Sequence, residues 1–354
     1  MKKVYTLTFQ KVLNNGAALQ AYALAKFLKD SNFQVEVIDY LPSYFLIQRY
    51  RPALGLKKTA NKIKKICSFN QFANKHLPLT PKTYFSKKSL SQISDAHAIV
   101  CGSDQVWNKH LTNGTIDESF LLSFAPSHTK RIAYAASAGS SRIIETKDSV
   151  ALLRSFDALG VREDILTDDI KSLDPGLTSQ VVVDPSLLIK DYSQIENPKR
   201  VPSDEYIVTY VVGSGETLNK FNEYIKILKE KIKLPVYHIG AKPIESADYN
   251  LLDVGPDEWI SFIKSAKFVG TNSFHGTAFS VNFEKQFLFF PHTVENLNTR
   301  QTTLLKRINL LDRLVPTPFD LEKLKIESID YSLTNPKLLK IVKESKDFLL
   351  NALS

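Results

Sequence analysis

Cysteine is nearly absent: Cys67 and Cys101 are the only two in 354 residues, and neither stands in a C-x-x-C or Cys/His spacing. That excludes a disulfide framework and a structural zinc site, and makes a reducing cytoplasm the expected setting. Glycine (13) and proline (16) are too sparse for a collagen-like or linker-rich chain. No apolar run approaches the roughly 20 residues of a membrane span. The run over residues 4–9, behind the basic start Met1-Lys2-Lys3, is interrupted by Thr6 and Thr8 and reads as a strand rather than a signal peptide. Acid is missing altogether from residues 41–94, which hold 11 of the 46 Lys and Arg. Outside that segment 35 basic residues face 37 acidic ones, so the net charge of +9 belongs to one stretch of chain. No RRM, zinc-finger or basic-zipper pattern accompanies it, and a nucleic-acid partner is not expected.

What is present is a mixed α/β pattern. At 43% hydrophobic and 23% charged the chain can bury sizeable cores, and its length suggests two domains. A strand over residues 3–9, an Ala/Leu-rich helix over 17–30 and a strand over 34–40 make one βαβ unit. Further strands are expected at 97–101, 131–136, 158–161 and 181–183. A polar stretch over 191–205, with Pro198 and Pro202, reads as a linker. Beyond it strands near 206, at 236–239, 268–270 and 286–290 alternate with helices. This predicts two Rossmann-like, doubly wound domains facing across a cleft, residues 1–190 with the basic insertion 41–94, and residues 191–330, followed by a C-terminal helix in 331–354. Leu54, Leu56, Ile63, Ile66, Phe69 and Phe72 among the lysines of the insertion suggest amphipathic helices. These offer either a solvated face or a dock for an anionic membrane or a pyrophosphate-linked substrate.

In open α/β sheets ligands lie beyond the carboxyl ends of the strands. In Thr271-Asn272-Ser273-Phe274-His275-Gly276 an apolar strand ends in small polar residues and a helix begins near His275, so backbone N–H groups converge on an anion site. His275 there is either a proton donor or a partly buried capping partner, and Gly276 permits close backbone approach. Ser103-Asp104-Gln105-Val106-Trp107-Asn108 follows another strand; it reads either as a carbohydrate subsite or as an Asx-turn with a core Trp. Asn15, Gly16 and Gln20 sit where a phosphate loop would, without G-x-G-x-x-G or a P-loop. Arg162 follows a short strand and suits carboxylate or phosphate, with an ion pair as its plainer use; Arg300 is a second cation on a polar loop. No metal-ligand motif appears.

Taken in order, residues 15–22 (NGAALQAY), 102–108 (GSDQVWN), 133–137 (AYAAS), 161–163 (VRE), 183–185 (VDP) and 273–277 (SFHGT) resemble the polysaccharide pyruvyl transferase family. The resemblance implies a GT-B-like fold and transfer of the pyruvyl group of phosphoenolpyruvate onto two sugar hydroxyls, with a cyclic ketal formed and phosphate released. It implies His275 at the donor and Arg162 helping to hold it. Thr271, Asn272, Ser273, Phe274, Gly276 and Arg300 are the further donor-side residues. Asp104 is expected to orient or deprotonate the acceptor. Asn15, Gly16, Gln20, Ser103, Gln105, Trp107 and Asn108 form the expected acceptor side. Where some members read Arg-Leu-His, this chain reads Ser273-Phe274-His275, so Arg300 or backbone N–H groups would stand in for an arginine. Phosphoenolpyruvate is already activated, and neither metal nor organic cofactor is required. The acceptor is a sugar in a surface-polysaccharide precursor, free or on a polyprenyl pyrophosphate, with the enzyme cytoplasmic and peripheral at the inner leaflet in the latter case. The alternatives are a GT-B glycosyltransferase using a nucleotide sugar and a non-catalytic glycan or anionic-lipid binder.

Overall fold

The central strands are short, rich in Val, Ile, Ala and Phe, and buried on both faces, as a parallel sheet covered by helices requires. The computed structural model describes residues 1–139, 147–292, 294–316 and 326–354. The chain divides into two units: residues 1–54, 69–189 and 340–354 form unit 1, and residues 55–68 and 190–339 form unit 2.

Unit 1 contains β1 (Lys3–Leu7), α1 (Asn15–Asp30), β2 (Gln34–Val37), α2 (Ser43–Tyr50), the second part of α3 (Leu56–His76), α4 (Lys87–Leu90), β3 (Ala98–Cys101), β4 (Lys130–Ala136), α5 (Lys147–Arg154), β5 (Ala158–Val161), α6 (Asp164–Leu173) and β6 (Gln180–Val181). All six strands are parallel, in the order β2-β1-β3-β4-β5-β6. The chain leaves β1 toward β2 and returns on the other side to β3, so the order reverses between β1 and β3. That is where the loops after the two strands part and leave room for a ligand. The acid-free insertion is α2, α3 and α4.

Unit 2 contains β7 (Ile207–Tyr210), α7 (Glu216–Ile232), β8 (Val236–Ile239), β9 (Tyr249–Leu251), α8 (Pro256–Ser265), β10 (Phe268–Thr271), α9 (Phe274–Asn282), β11 (Gln286–Phe289) and α10 (Thr299–Arg307). The last helix, α11 (Tyr331–Leu353), starts in unit 2, and its final turns count with unit 1. The sheet order β11-β10-β7-β8-β9 reverses between β7 and β10. Each unit has its own core. Leu7, Ile99, Trp107, Phe120 and Leu122 belong to the first, and Ile207, Phe221, Ile225, Leu288 and Phe290 to the second. The edge strand β9 and helix α10 were not legible in the sequence. β9 is three residues long with two of them exposed, and α10 (TRQTTLLKR) is too polar to show an apolar stripe.

One buried histidine ties unit 2's stability to pH. His238, at 0% exposure in β8, shares a hydrogen bond between Nδ1 and the Thr209 hydroxyl (2.9 Å) and holds Nε2 3.2 Å from the Lys242 carbonyl. Burial pushes its pKa down to about 4 from 6.5. The unfolded chain therefore binds a proton below pH 6.5 that the native state refuses until about pH 4. Stability contributed by the neutral imidazole is intact above pH 6.5 and is lost as pH falls between those values, by about 3 kcal/mol at the low end. Urea unfolding at pH 7.5 and pH 5 should show this acid loss, and His238→Asn should remove most of it.

Candidate active site

At the carboxyl edge of the unit 1 sheet three strand ends are pinned by one guanidinium. Arg162 follows β5 and is 3% exposed; its Nη1 lies 3.0 Å from Asp184 Oδ2 and donates to Ser103 Oγ at 3.3 Å. Ser103 donates in turn to Asp184 Oδ2 at 2.6 Å, while Asp184 Oδ1 caps the turn at Ser186 N. Arg162 Nη2 reaches Asp104 Oδ1 at 3.7 Å. Asp104 takes φ +87°, a left-handed conformation costly for a residue with a side chain. It is held there because its carbonyl accepts from Ser137 N (3.1 Å) and its carboxylate from Gln105 N (2.8 Å). One carboxylate is thus fixed at the end of β3 beside a buried cation. A second, Glu163, accepts from Ser137 Oγ at 2.6 Å and is 1% exposed.

The other residues expected on the acceptor side are distributed differently. Trp107 is a correction: it is wholly buried, donates its indole N–H to Phe120 O (2.9 Å) and meets Phe156 edge-on, so it fills the core and offers no ring to a sugar. Gln20 is an interior brace, its Nε2 donating to Thr8 Oγ1 and Ala17 O. Ser103 spends its hydroxyl on Asp184. Gln105 and Asn108 are joined to each other by an amide hydrogen bond of 2.7 Å, under Gly139, whose φ of +67° leaves no room for a Cβ against either side chain. Asn15 and Gly16 open α1, capped by Asn14.

In unit 2 the reversal point is built by β10 and the start of α9. Thr271 Oγ1 donates to Tyr210 O (2.7 Å) and accepts from Ser273 N (3.0 Å). Asn272 spends both ends of its amide on Val212, accepting from its N–H at 2.7 Å and donating to its C=O at 2.9 Å, so it clamps the loop after β7 to the loop after β10. Ser273 is the N-cap of α9, accepting from Gly276 N at 3.4 Å. A Cβ on Gly276 would lie 2.3 Å from Thr271 Oγ1, which explains the glycine after the histidine. His275 in the first turn is 5% exposed, with the Phe274 ring edge-on at 5.4 Å.

Two features here escaped sequence reasoning. His292, just past β11, has Nε2 3.3 Å from Asn272 Nδ2, and its Cε1 lies 3.4 Å from the place a Cβ would occupy on Gly213 in the loop 211–215. Burial, then the positive charge of Arg300, holds its imidazole below the usual range. A polar residue directly after an apolar strand is the signal that singled out Arg162, and it applied equally to Pro291-His292. The second feature is the role of Asp184 as Arg162's counter-ion, which only the strand order brings together. Arg300 stands in the first turn of α10, half-buried. Asp104 and Arg162 share the edge of the unit 1 sheet; His275, His292 and Arg300 belong to unit 2. Among the described residues no three His, Cys, Asp or Glu side chains group as a metal site.

The sequence profile of the polysaccharide pyruvyl transferase family matches residues 14–293, most of the chain and both strand-end clusters. The chain belongs to this family. It is a transferase of polysaccharide biosynthesis, and a polysaccharide acceptor goes with that membership. A comparison with curated proteins gave no match. Among solved structures, the S. aureus MnaA–UDP complex has a TM-score of 0.53 at 12% identity, over 99% of this chain and 97% of that one. The UDP-GlcNAc 2-epimerase of Neisseria meningitidis bound to UDP-GlcNAc has the same score at 9% identity, over 100% and 99%. At such identities the likeness is one of fold, and it places the transferase in the GT-B class. Among the described residues no helix of the transferase is long and apolar enough to cross a membrane.

The buried pair at the unit 1 edge carries a stability prediction. Asp184→Ala leaves the Arg162 charge buried without its carboxylate and should cost about 3–5 kcal/mol. Urea denaturation should show Arg162→Met/Asp184→Ala losing less than Asp184→Ala alone.

Proposed function

We propose that the transferase moves the pyruvyl group of phosphoenolpyruvate onto two hydroxyls of one sugar, giving a cyclic ketal and inorganic phosphate. The observation that carries this reading is His275 at the head of α9, where a strand end, a helix N-terminus and the cation Arg300 in the same unit suit a small donor bearing phosphate and carboxylate. His275 gives a proton to C3 of the enol, turning CH2 into CH3 and making C2 electrophilic. A sugar hydroxyl bonds to C2 and returns its proton to the enzyme. The C2–O bond to phosphate then breaks, the second hydroxyl bonds to C2, and its proton leaves with phosphate. Arg300 and the N–H groups of the 272–276 turn neutralise the donor, in place of the arginine that Ser273 lacks. Asp104, fixed and strained at the end of β3, takes the acceptor's proton; Arg162 holds Asp104 and Asp184 in place, with its charge paired there.

General acid–base help is worth roughly 100- to 10,000-fold. His275→Ala should lower phosphate release from phosphoenolpyruvate with a galactoside acceptor by about that factor and leave the thermal unfolding profile unchanged. An active, folded His275→Ala protein would remove the assignment. The fold's likeness to enzymes solved with UDP and UDP-GlcNAc favours one other reading, a nucleotide-sugar glycosyltransferase. Under it nucleotides, and not phosphoenolpyruvate, would protect the protein against heat.

For an acceptor sugar carried on a polyprenyl pyrophosphate, we propose that the basic insertion brings the enzyme to an anionic membrane. What supports this is α3, where Leu56, Ala60, Ile63 and Cys67 are exposed at helical spacing beside Lys57 and Lys64, with no acid from residue 41 to 94. The protein should sediment with vesicles containing phosphatidylglycerol and not with phosphatidylcholine alone. Equal recovery with both would count against it.

A further inference from the structure

Arg49, in the last turn of α2, is 5% exposed, yet no carboxylate among the described residues pairs with it. Its Nη1 donates to the Lys11 carbonyl, its Nη2 to Asn70 Oδ1 at 2.7 Å, and its Nε–H, also shut off from solvent, has no acceptor. The neighbouring charges do not balance it: the Lys11 ammonium and Asp39 carboxylate already neutralise each other at 2.9 Å, and Asp39's other oxygen is taken by Thr83. Apart from the Tyr50 ring, 5.9 Å from the Arg49 Cζ, the charge is uncompensated, and a buried guanidinium without a counter-ion is a cost that a fold keeps only for a reason.

The reason lies in the loop that Arg49 grips. Lys11 belongs to the turn between β1 and α1, three residues before the N-cap Asn14 and at the reversal point of the unit 1 sheet. The helix that follows is 16 residues long, and its first turn carries no acidic side chain. In that turn Asn15 is 1% exposed, and neither its Oδ1 nor its Nδ2 has a partner. Gln10 Oε1, in the same loop, is likewise buried without a donor. A cation lacking its anion, an amide lacking both partners and the positive end of a long helix are thus gathered around one loop.

We infer that this loop is an anion subsite for a diphosphate group attached to the acceptor sugar, with Arg49 and Asn15 as its ligands. Arg49's two present bonds go to neutral oxygens, and a phosphate oxygen outcompetes these because charge-assisted hydrogen bonds are roughly twice as strong. The inference deepens the proposed function by giving the acceptor a chemical class, and its occupant is either a soluble sugar nucleotide or a lipid-linked glycan diphosphate.

The test uses the full chain and begins with inorganic pyrophosphate. Pyrophosphate should raise the unfolding temperature of the wild type. Arg49→Met and Asn15→Ala should bind it at least tenfold more weakly in calorimetric titration, while phosphoenolpyruvate protects them as it does the wild type. Without ligand Asn15→Ala should be as stable as the wild type or more so, since it removes an unsatisfied buried amide, whereas Arg49→Met also takes the donor from the Lys11 carbonyl and Asn70 Oδ1 and is judged by its pyrophosphate affinity. An Asn15→Ala protein that melts earlier would make Asn15 a brace and overturn the inference, as would unchanged pyrophosphate affinity in both variants or no binding to the wild type. A sugar nucleotide and a short-chain prenyl diphosphate glycan in micelles distinguish the sources. Arg49-dependent protection by either supports the subsite, and protection by neither sinks it. Ketal formation with Arg49-independent pyrophosphate binding would defeat the subsite alone. Arg49-dependent binding without any ketal would defeat the transferase reading alone.

Discussion

The carboxyl edge of the unit 1 sheet depends on one buried ion pair, Arg162 with Asp184. Three strands end in loops that have no regular hydrogen-bond ladder to hold them. The guanidinium replaces the ladder by joining the residues after β3, β5 and β6 through Ser103, itself and Asp184. Desolvating both ions is expensive, and hydrophobic residues of the same size would often be as stable. What the ionic version adds is direction. A guanidinium bonds in a plane, so Asp104 at 3.7 Å from Nη2 is set by the same group that closes the loops. The left-handed backbone at Asp104 is kept by the Ser137 and Gln105 N–H groups, and strain of that sort is found where a side chain must be presented rather than packed.

Unit 2 solves the corresponding problem without ions. Asn272 binds the backbone of Val212 through both ends of its amide, Thr271 binds Tyr210, and Gly276 lets the first turn of α9 sit against Thr271. The structural work there is done by neutral groups, and in the proposed reaction His275 and Arg300 serve the donor. Under the proposed reaction a small anionic donor would account for the difference, because a fixed carboxylate beside it would repel it, whereas an acceptor hydroxyl needs a carboxylate to take its proton.

The strand–helix alternation was legible because most strands are short apolar runs and most helices carry a stripe, β9 and α10 excepted; Asp104, Arg162 and His275 stand within a few residues of strand ends. What local sequence could not carry was who faces whom. Trp107 looked like a sugar platform because composition does not say which way an indole points; the core contacts with Phe120 and Phe156 settle that. Asp184 stood in a recognised motif without a role, since its partner lies 22 residues away and is reached only through strand order. His292 was passed over although it follows a strand as Arg162 does.

The two buried arginines of unit 1 show why burial alone says little about a charge. Arg162 and Arg49 are comparably buried, at 3% and 5% exposure, and each donates to neutral oxygens. Only Arg162 has carboxylates, so its field is spent within the protein and ends at Asp184 and Asp104. Arg49 arises in a segment from which acid is absent over more than fifty residues, and its field is left open. Scattered surface lysines in that segment would serve an anionic membrane; Arg49 would not, because its guanidinium is turned onto the β1–α1 loop and Asn70 rather than outward. Under the inferred subsite it answers to an anion that comes in along the loop. On these proposals the same compositional bias would do two things at two depths, a diffuse attraction outside and one specific anion contact inside, as suits an acceptor whose sugar is joined to its carrier through phosphates.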